Sequence, residues 1–372
     1  MRFLNMMVCV GLSVAVAGAA LCAEVPSQQE IRIESPADRA VFQRNDHAKG
    51  RLPIRCKVSV GTVDLRVLDK ATKAVVKDWF ALTAAPEKGS FAAELELASG
   101  WYQLEFRAMN NGVMTETAKV EHVGIGEVFV TAGQSNSANH GRPTQVAKED
   151  RVSTCDYKTG LWQHCADPQP AASGRGGSPW PLLGDLLVQK FKCPVGFICV
   201  GVGSTAVGQW ATPTGCYPRL KMALQRVGKQ GCRAVLWHQG ESDSIAGTPA
   251  EGYAKKLTQV IEQSRQDAGW QVPWGVALAS FHPSPVATPE RQQAVIEGQK
   301  LVLAKVAGVF HGPETDSFHT RGFLGDSVHF NAQGLAAHAQ GWADALNKQI
   351  SPLKATAVST GPGCARNSRV PE

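Results

Sequence analysis

The chain has 372 residues, 43% of them hydrophobic, and a formal net charge of +6 at pH 7. This length allows two domains. The basic residues are spread along the chain without a run of five or more Lys or Arg, which argues against nucleic acid as a partner. The ten cysteines include no Cys-x-x-Cys pair, so a zinc site is also disfavoured.

The amino terminus has the pattern of a secretory signal peptide. Arg2 is followed by an uncharged, largely apolar segment, residues 3–20, and then by small residues up to Ala23. We expect cleavage near residues 20–23 and a secreted or periplasmic product without membrane attachment. A single membrane anchor is the alternative, because residues 3–20 could just span a bilayer. A lipid anchor on Cys22 is less favoured, since the bulky Leu21 precedes it.

The number of cysteines predicts disulfides in an exported chain. The leader contains two of the ten, which leaves an even eight. We expect Cys155 and Cys165 to clip the long loop in which both lie. Cys199 lies inside an apolar strand pattern and fits a buried free thiol instead. The eight residues are Cys56, Cys155, Cys165, Cys193, Cys199, Cys216, Cys232 and Cys364.

The part of the chain before residue 123 is predicted to form a small all-β, Ig-like sandwich. Several segments alternate apolar and polar residues between Gly, Asn, Asp or Lys turns, which is typical of an antiparallel sandwich. Trp79 and Trp101 are candidates for carbohydrate binding. The favoured alternative places both rings in the core, which aromatic side chains commonly fill. The predicted strands are residues 31–33, 53–60, 63–68, 91–97 and 101–108.

From Val123 onward, strand-like and helix-like segments alternate, which predicts a parallel sheet covered by helices on both faces. The segment 136–178 is long and rich in Gly and Pro, so we interpret it as a functional loop on the substrate side. After the first strand, strands are predicted at residues 195–200, 233–237, 274–279 and 309–310, and helices at residues 181–191, 220–227, 249–268, 290–306 and 332–350.

The first strand of this region leads into a candidate nucleophile. An apolar, β-branched run at residues 128–130 is followed by Gly133, so a buried strand is expected to end in a sharp turn that carries Ser135. Residues at the carboxyl ends of strands in an open α/β sheet lie in the ligand-binding crevice. The alternative is that the residues from Gly133 to Asn136 serve only as turn formers.

Residues near the end of the chain supply what a nucleophilic serine needs. A serine hydroxyl is a weak nucleophile until a base takes its proton, and the base must be held in one tautomer by an acceptor. Asp326 precedes His329 by three positions, so these residues are the candidate acceptor and base for Ser135. The alternative for His329 is a solvated residue at a helix cap.

An ester carbonyl under attack becomes an oxyanion, which requires preorganised hydrogen-bond donors. Three candidates follow strand ends: the backbone N–H groups of Ser135 and Gly203 and the side-chain amide of Gln239. Residues 201–206 also match a dinucleotide-binding fingerprint. We reject that interpretation because the segment follows the second strand of its unit and no acidic residue lies about twenty positions later.

Three blocks together carry a family resemblance: Gly-Gln-Ser-Asn at 133–136, Gln-Gly-Glu-Ser-Asp at 239–243 and Asp-x-x-His at 326–329. In this order they resemble the motifs of the SGNH (GDSL-like) hydrolases. More narrowly, residues 126–350 are similar to the carbohydrate esterase group of sialate O-acetylesterases and related acetylxylan esterases. The resemblance implies a flavodoxin-like three-layer α/β/α domain with a parallel sheet. The resulting division is a signal peptide (1–23), the sandwich as accessory domain (24–122), the catalytic domain (123–352) and a C-terminal tail (353–372).

The resemblance leaves one oxyanion donor open. In the resembling esterases the second block reads Gly-Gly-Thr and a Trp follows, whereas here it reads Gly203-Ser204-Thr205 with Trp210. Either Gly203 or Ser204 therefore donates to the oxyanion. Gln239 stands where the wider superfamily has Asn, a departure that is usual in the carbohydrate group.

Further residues near these blocks are candidate substrate contacts. Glu241 also has other interpretations: with Asp243 it forms a metal-binding or acid/base pair or, as we favour, the two cap the next helix or brace the Gln239 loop. His238 and His319 are assigned structural roles. The candidate substrate contacts are Gln134, Trp210, Glu241, His140 and Arg142.

Together these inferences predict a secreted serine esterase that removes O-acetyl groups from carbohydrate without metal or cofactor. Sialic acid is the favoured sugar, and acetylxylan or other acetylated glycans are the alternatives within the same class. A different class is a carbohydrate-binding surface protein whose hydrolase site is silent. The sequence makes no prediction of the oligomeric state.

Overall fold

The computed structural model of the protein describes residues 31–59, 61–85 and 87–350. The predicted signal peptide, its cleavage site, the predicted tail and Cys364 lie outside the described residues. Within this part of the chain, no helix combines the length and apolar character that crossing a bilayer requires.

The first third of the described chain consists of β-strands. Their side chains alternate between the core and the surface, as a period of two residues requires. In β3, for example, Leu52, Ile54 and Cys56 are buried and join Phe106 in one hydrophobic core. The strands are β1 (Arg32–Ser35), β2 (Ala40–Gln43), β3 (Lys49–Lys57), β4 (Thr62–Asp69), β5 (Val75–Ala81), β6 (Thr83–Ala84), β7 (Ser90–Ala98), β8 (Gly100–Asn110) and β9 (Val113–Gly133).

These strands belong to two sheets. One has the order β1-β3-β7-β6, with antiparallel pairs throughout. In the second, β4 pairs with β5 and β8, and β8 pairs with β9. Strands β2, β5 and β6 were not predicted. The residues of β5 are mostly exposed and show no alternation. The five predicted strands each overlap an observed one.

Strand β9 joins both halves of the chain. Its first part pairs with β8 and β2, and its last part pairs with the strands of the second half, so the predicted boundary at residue 122 falls inside one strand. Glu127 lies at the crossing with none of its surface exposed, and it accepts ion pairs from Arg44 (2.6 Å) and Arg233 (2.8 Å). A buried carboxylate requires such partners, and here they tie β2 and the start of β13 to β9.

The second half adds five parallel strands to the large mixed sheet, which with β9 have the order β10-β12-β9-β13-β14-β15, and β11 is antiparallel at the β10 edge. The new strands are β10 (Val152–Cys155), β11 (Trp162–His164), β12 (Val195–Cys199), β13 (Ala234–His238), β14 (Trp274–Leu278) and β15 (Val309–Glu314). The helices of the described part are α1 (Trp180–Phe191), α2 (Val207–Trp210), α3 (Tyr217–Val227), α4 (Glu241–Ala246), α5 (Ala250–Ala268), α6 (Pro289–Lys305) and α7 (Ala332–Gln349).

Two hydrophobic cores cover opposite faces of this sheet. Val128 and Val130 of β9 pack into the core that contains residues of α3, α5 and α6. The intervening Phe129 packs into the core formed with α1 and α7. The alternation predicted from the sequence is thus confirmed as a mixed α/β fold, and it places the carboxyl ends of β9, β12 and β13 side by side at one edge.

The predicted disulfides are not formed among the described residues. All seven described cysteines are free and buried, and the predicted clip between Cys155 and Cys165 is wrong. Cys155 belongs to the core on one face of the sheet and Cys165 to the core on the other, so the sheet separates the two thiols. Cys199 is a buried free thiol, as its strand pattern indicates, and burial raises its pKa.

Candidate active site

Ser135 lies on a sharp turn after β9. Gly133 adopts φ +123°, and a Cβ at this position would lie 2.0 Å from the carbonyl oxygen of His238, so only glycine fits. A short 3-10 turn, Ser135–Ser137, follows. Ser135 is 4% exposed, and its hydroxyl forms no hydrogen bond to the described residues. The strand-turn geometry predicted from the sequence is present.

Asp326 and His329 form a hydrogen-bonded pair at the same edge. The Nδ1 of His329 lies 2.8 Å from Asp326 Oδ2, and the backbone N–H groups of Val328 and His329 donate to Asp326 Oδ1. Burial opposes ionisation of this carboxyl group, but these donors outweigh it and lower the pKa of Asp326 to about 2. The Nε2 of His329 forms no hydrogen bond to a described residue, so it is the nitrogen available to a substrate or to Ser135.

Three contacts bring the serine turn and the histidine loop together. Asn136 Nδ2 donates to the carbonyl oxygen of Val328 at 3.3 Å. The backbone N–H of Arg142 donates to the carbonyl oxygen of Phe330 at 2.9 Å. The ring of His140 stacks on that of His329, with centroids 5.2 Å apart. The residues that flank Ser135 are therefore held against those that flank His329.

Glu241 belongs to a different, buried pair. Its Oε1 lies 3.3 Å from His238 Nε2 and accepts a hydrogen bond from Asn136 Nδ2 at 3.0 Å. Burial opposes its ionisation, but His238 and Asn136 overcome this effect and lower the pKa of Glu241. Its other oxygen, Oε2, and Asn136 Oδ1 have no partner among the described residues, and both residues line a small pocket beside Val328.

The position of Gln239 does not match the prediction that its side-chain amide is free to donate to an oxyanion. It has no exposed surface, and its Nε2 donates within the protein to Asp243, to the Thr205 carbonyl and to Gln134. Its Oε1 accepts from the hydroxyl of Tyr253 at 3.0 Å. Both amide hydrogens are thus directed at protein acceptors, so this geometry leaves no free donor for an oxyanion. Asp243 braces Gln239, as one of the predicted alternatives had it.

The second backbone donor is also engaged. The N–H of Gly203 donates to Ser173 Oγ at 2.7 Å, and Ser173 Oγ lies 3.1 Å from His140 Nε2. The N–H of Ser204 donates to no described residue, and Ser204 adopts φ +58°. Of the two donors left open by the sequence, Ser204 is the one with a free N–H. Burial and the neighbouring His329 lower the pKa of His140.

The predicted substrate contacts separate into two groups. Trp210 is fully buried, donates to Thr205 Oγ1 at 3.0 Å and packs edge-on against Trp237, so its assignment as a sugar contact is wrong. The ring lies in the hydrophobic core between the sheet and the helices. His140 is partly exposed and Arg142 is exposed, both at the edge of the site.

Trp79 and Trp101, the candidates for carbohydrate binding in the β-rich first third of the chain, lie in different environments. Trp101 is buried, as the favoured alternative had it, and its indole N–H donates to Asp150. Trp79 lies outside the core and contacts the guanidinium groups of Arg66 and Arg107, at 4.8 and 4.4 Å from its ring centroid.

Sequence reasoning missed Ser173, which lies in a loop without a recognisable motif. It also assigned no role to Asn136, although this residue is part of the Gly-Gln-Ser-Asn block. Within the described residues, no group of three His, Cys, Asp or Glu side chains is placed to hold a metal ion.

Comparisons with known proteins identify the family of the chain. The profile of a family described as "Carbohydrate esterase, sialic acid-specific acetylesterase" matches residues 125–348, which include Ser135, Asp326 and His329. A probable carbohydrate esterase from Arabidopsis thaliana is 32% identical over 75 residues, or 20% of this chain. The match spans only 29% of the length of that relative.

Solved structures show a similar fold. A carbohydrate acetylesterase from Xanthomonas citri superposes with a TM-score of 0.58 at 18% identity, covering 84% of this chain and 73% of that one. A protein from Arabidopsis thaliana superposes with a TM-score of 0.50 at 18% identity, covering 60% of this chain and 99% of that one. At such identities the similarity concerns the fold alone.

Proposed function

Because the chain belongs to the carbohydrate esterase family of sialic acid-specific acetylesterases, we propose that it is a serine esterase that hydrolyses O-acetyl esters of carbohydrates. One observation carries the proposal. The Asp326 carboxylate holds Nδ1 of His329 at 2.8 Å and leaves Nε2 free, and the adjacent Val328 carbonyl contacts Asn136 of the Ser135 turn. An acceptor on Nδ1 leaves Nε2 as the nitrogen that can take the proton of a serine hydroxyl.

In the proposed reaction, the Oγ of Ser135 attacks the acetyl carbonyl carbon while Nε2 of His329 takes the hydroxyl proton. The bond between the carbonyl carbon and the sugar oxygen then breaks, and His329 returns the proton to the leaving sugar alcohol. Water attacks the acetyl-enzyme with His329 again as base, which releases acetate and restores Ser135. Asp326 remains ionised because its pKa is about 2, and it stabilises the imidazolium that forms twice in the cycle.

The backbone N–H of Ser135 and that of Ser204 are the proposed main-chain donors to the oxyanion. Ser204 replaces Gly203 in this role, since the Gly203 N–H already donates to Ser173. The carbonyl oxygen of the ester would lie between the β9 turn and the loop after β12.

Sialic acid is the proposed sugar, with acetylxylan and other acetylated glycans as competitors. The family description supports sialic acid. The exposed Arg142 beside the site is a cation that suits a sugar carboxylate.

Secretion after removal of residues 1–23 belongs to the same proposal, as does the division into an accessory sandwich (24–122) and a three-layer catalytic domain (123–352). The separate hydrophobic core of the first third and the cores on both sheet faces support this division.

The test is acetate release from p-nitrophenyl acetate and from a panel of acetylated sugars, with Ser135→Ala as the control. We expect turnover by the wild type, a loss to background in Ser135→Ala, and an unchanged fold, because a turn serine contributes little packing. A fluorophosphonate probe should add mass to Ser135 alone. Turnover that persists in Ser135→Ala within a few-fold would mean another nucleophile, and no turnover by the wild type would favour the silent binder.

A further inference from the structure

The ring of His140 fills a slot that two glycines leave open. A Cβ on Gly203 would lie 2.9 Å from its Nε2, and a Cβ on Gly174 would lie 2.8 Å from its Cδ2. A larger residue at either position would therefore displace the ring, because packed side chains have little spare volume around them. Gly174 also adopts φ +88°, which favours glycine. The loop after β12 and the loop before α1 are thus shaped around His140.

Hydrogen bonds fix the backbone on both sides of this ring. The N–H of Asn139 donates to the carbonyl oxygen of Ser173 at 2.9 Å. The N–H of Gly141 donates to the carbonyl oxygen of Gly177, also at 2.9 Å. Asn139 and Gly177 are buried, so water does not compete for these bonds. The loop before α1 therefore holds the backbone around His140 in place.

Ser173 determines which ring nitrogen of His140 carries the hydrogen. Its Oγ accepts from the backbone N–H of Gly203 at 2.7 Å, because a backbone N–H can only donate. The hydroxyl hydrogen of Ser173 then has one acceptor among the described residues, the Nε2 of His140 at 3.1 Å. Nε2 is therefore unprotonated, and the neutral ring carries its hydrogen on Nδ1. Burial first and the neighbouring His329 second lower the pKa of His140, although Asp326 opposes them, so the ring stays neutral at pH 7.

His329 lies where such a neighbour restrains it. Its side chain is 28% exposed, and the hydrogen bond that orients it is made to Asp326, whose side chain is 58% exposed. One hydrogen bond at Nδ1 selects the tautomer but leaves the ring able to turn about that bond. His140 covers one face of the ring, with centroids 5.2 Å apart and planes inclined by 28°. Stacking of this kind favours one orientation of the ring over the others.

We propose that His140 is a positioning residue for the catalytic base. Its neutral ring, anchored by Ser173, stacks on His329 and restrains that imidazole so that Nε2 stays directed at Ser135. Gly203 takes part as well, because it makes room for the ring of His140 and its N–H orients the Ser173 hydroxyl. A base that is held in its reactive orientation populates fewer unproductive rotamers, which raises kcat rather than affinity. This inference rests on the proposed esterase function.

His140→Ala removes the stack without adding charge or bulk. We expect kcat to fall roughly 10–100-fold, because small misplacements of a reacting group are costly, while KM changes by less than about threefold. The same loss is expected with p-nitrophenyl acetate and with an acetylated sugar, since the base acts on both. His47→Ala, in the exposed turn between β2 and β3, is the matched control and should leave turnover unchanged.

Ser173→Ala tests the anchor. In the wild-type background it should lower kcat by roughly 3–10-fold, because His140 loses the partner that holds it. In the His140→Ala background it should change kcat by less than about twofold, since no ring is left to hold. An equal loss in both backgrounds would mean that Ser173 acts on turnover through Gly203, and it would overturn the role of Ser173 as anchor.

His140→Phe separates stacking from hydrogen bonding. Phenylalanine offers His329 a flat ring but no nitrogen, and Ser173→Ala beside it makes room for the larger ring. The double variant with phenylalanine should therefore have a kcat at least about fivefold above that of His140→Ala combined with Ser173→Ala. An absence of recovery would overturn the proposal, because a loss that only a nitrogen can repair is not a loss of stacking.

The pair of substrates separates positioning from sugar binding. A loss in His140→Ala that is confined to the acetylated sugar and seen mainly in KM would make His140 a sugar contact and overturn the proposal. A loss of less than about threefold with both substrates would overturn it as well. In either case, turnover by the wild type shows that the esterase function itself stands.

Nitrogen NMR of the wild-type protein is independent of how the variants fold. With ¹⁵N-labelled histidine at pH 7, we expect the His140 ring to be neutral, with a hydrogen on Nδ1 and none on Nε2. Its signals are assigned from the spectrum of His140→Ala, in which they are absent. A ring that is protonated at pH 7, or that carries its hydrogen on Nε2, would overturn the proposal.

Discussion

Two of the carboxylate–histidine pairs among the described residues, Asp326 with His329 and Glu241 with His238, have the same three-residue spacing and opposite surroundings. In the exposed pair, Asp326 and His329, the side chains are 58% and 28% exposed and the contact is 2.8 Å. In the buried pair, Glu241 and His238, they are 4% and 1% exposed and the contact is 3.3 Å. Asp326 and His329 form one of the blocks that resemble esterase motifs, Glu241 lies in another, and His238 directly precedes it. Spacing alone therefore does not distinguish the two pairs.

The difference lies in the second nitrogen of each ring. His238 uses Nε2 for Glu241 and Nδ1 for His338, whose own Nε2 accepts from Trp342. His329 uses only Nδ1. A histidine can act as a base only when one nitrogen remains accessible to the reacting group, so the exposed pair fits catalysis. The buried pair fits a scaffold that positions Asn136 and the turn beside it.

The largest expected effect is on turnover, and it tests whether the exposed or the buried carboxylate acts with His329. Asp326→Asn should lower kcat by roughly a thousandfold or more, because an asparagine at this position can favour the wrong tautomer of His329. Glu241→Gln should lower kcat much less, since Glu241 does not contact His329. Steady-state kinetics with p-nitrophenyl acetate measure both, and circular dichroism spectra check the folds. If folded variants show the reverse order of losses, the triad is Ser135, His329 and Glu241.

Local patterns in the sequence were sufficient for the elements that place the site. The β-branched run before Gly133 predicted the end of β9, and the helix predicted at residues 249–268 is observed as Ala250–Ala268. Asp326 and His329 lie three positions apart, so their contact depends on little more than one turn of backbone. Features of this kind are set by neighbours in the chain.

Features that depend on tertiary packing were predicted less well. Trp210 was named as a candidate sugar contact, but its ring is buried in the core between the sheet and the helices. Gln134 and Gln239 are the same residue type in two motif blocks, and only the partners from α4, Thr205 and Tyr253 determine which amide is free. An even number of cysteines likewise does not show on which face of a sheet each thiol lies.

The second prediction concerns Gln239, which directly follows His238 of the buried pair. Gln239→Ala removes one of two donors to Asp243 Oδ2, which keeps the Val207 N–H, and removes the side-chain donor to the buried Thr205 carbonyl oxygen. We therefore expect the free energy of unfolding to fall by roughly 3 kcal/mol. Urea denaturation measures this value, and Gln225→Ala on the surface of α3 serves as the matched control. Turnover per folded molecule should fall by less than about tenfold, because the amide hydrogens of Gln239 are already directed at protein acceptors. A kcat loss of about 10²–10³-fold with unchanged stability would instead make Gln239 the oxyanion donor.

The smallest expected effect is a pH dependence of the free energy of unfolding that arises from His338, which contacts His238 of the buried pair. His338 is fully buried against Trp180, Phe330 and Trp342, and the other titratable side chain it faces is His238. Burial first, and His238 second, lower the pKa of His338 well below the usual histidine value. The unfolded chain therefore takes up a proton at this residue below about pH 6.5, while the folded protein does not. Unfolding is favoured as the pH falls, by at most about 1.4 kcal/mol per pH unit for one proton.

In His338→Gln this contribution is absent, so the stability advantage of the wild type should shrink between pH 7 and pH 5 in urea titrations of both proteins. An advantage that stays constant over this range would mean that His338 takes up its proton equally in the folded and unfolded states.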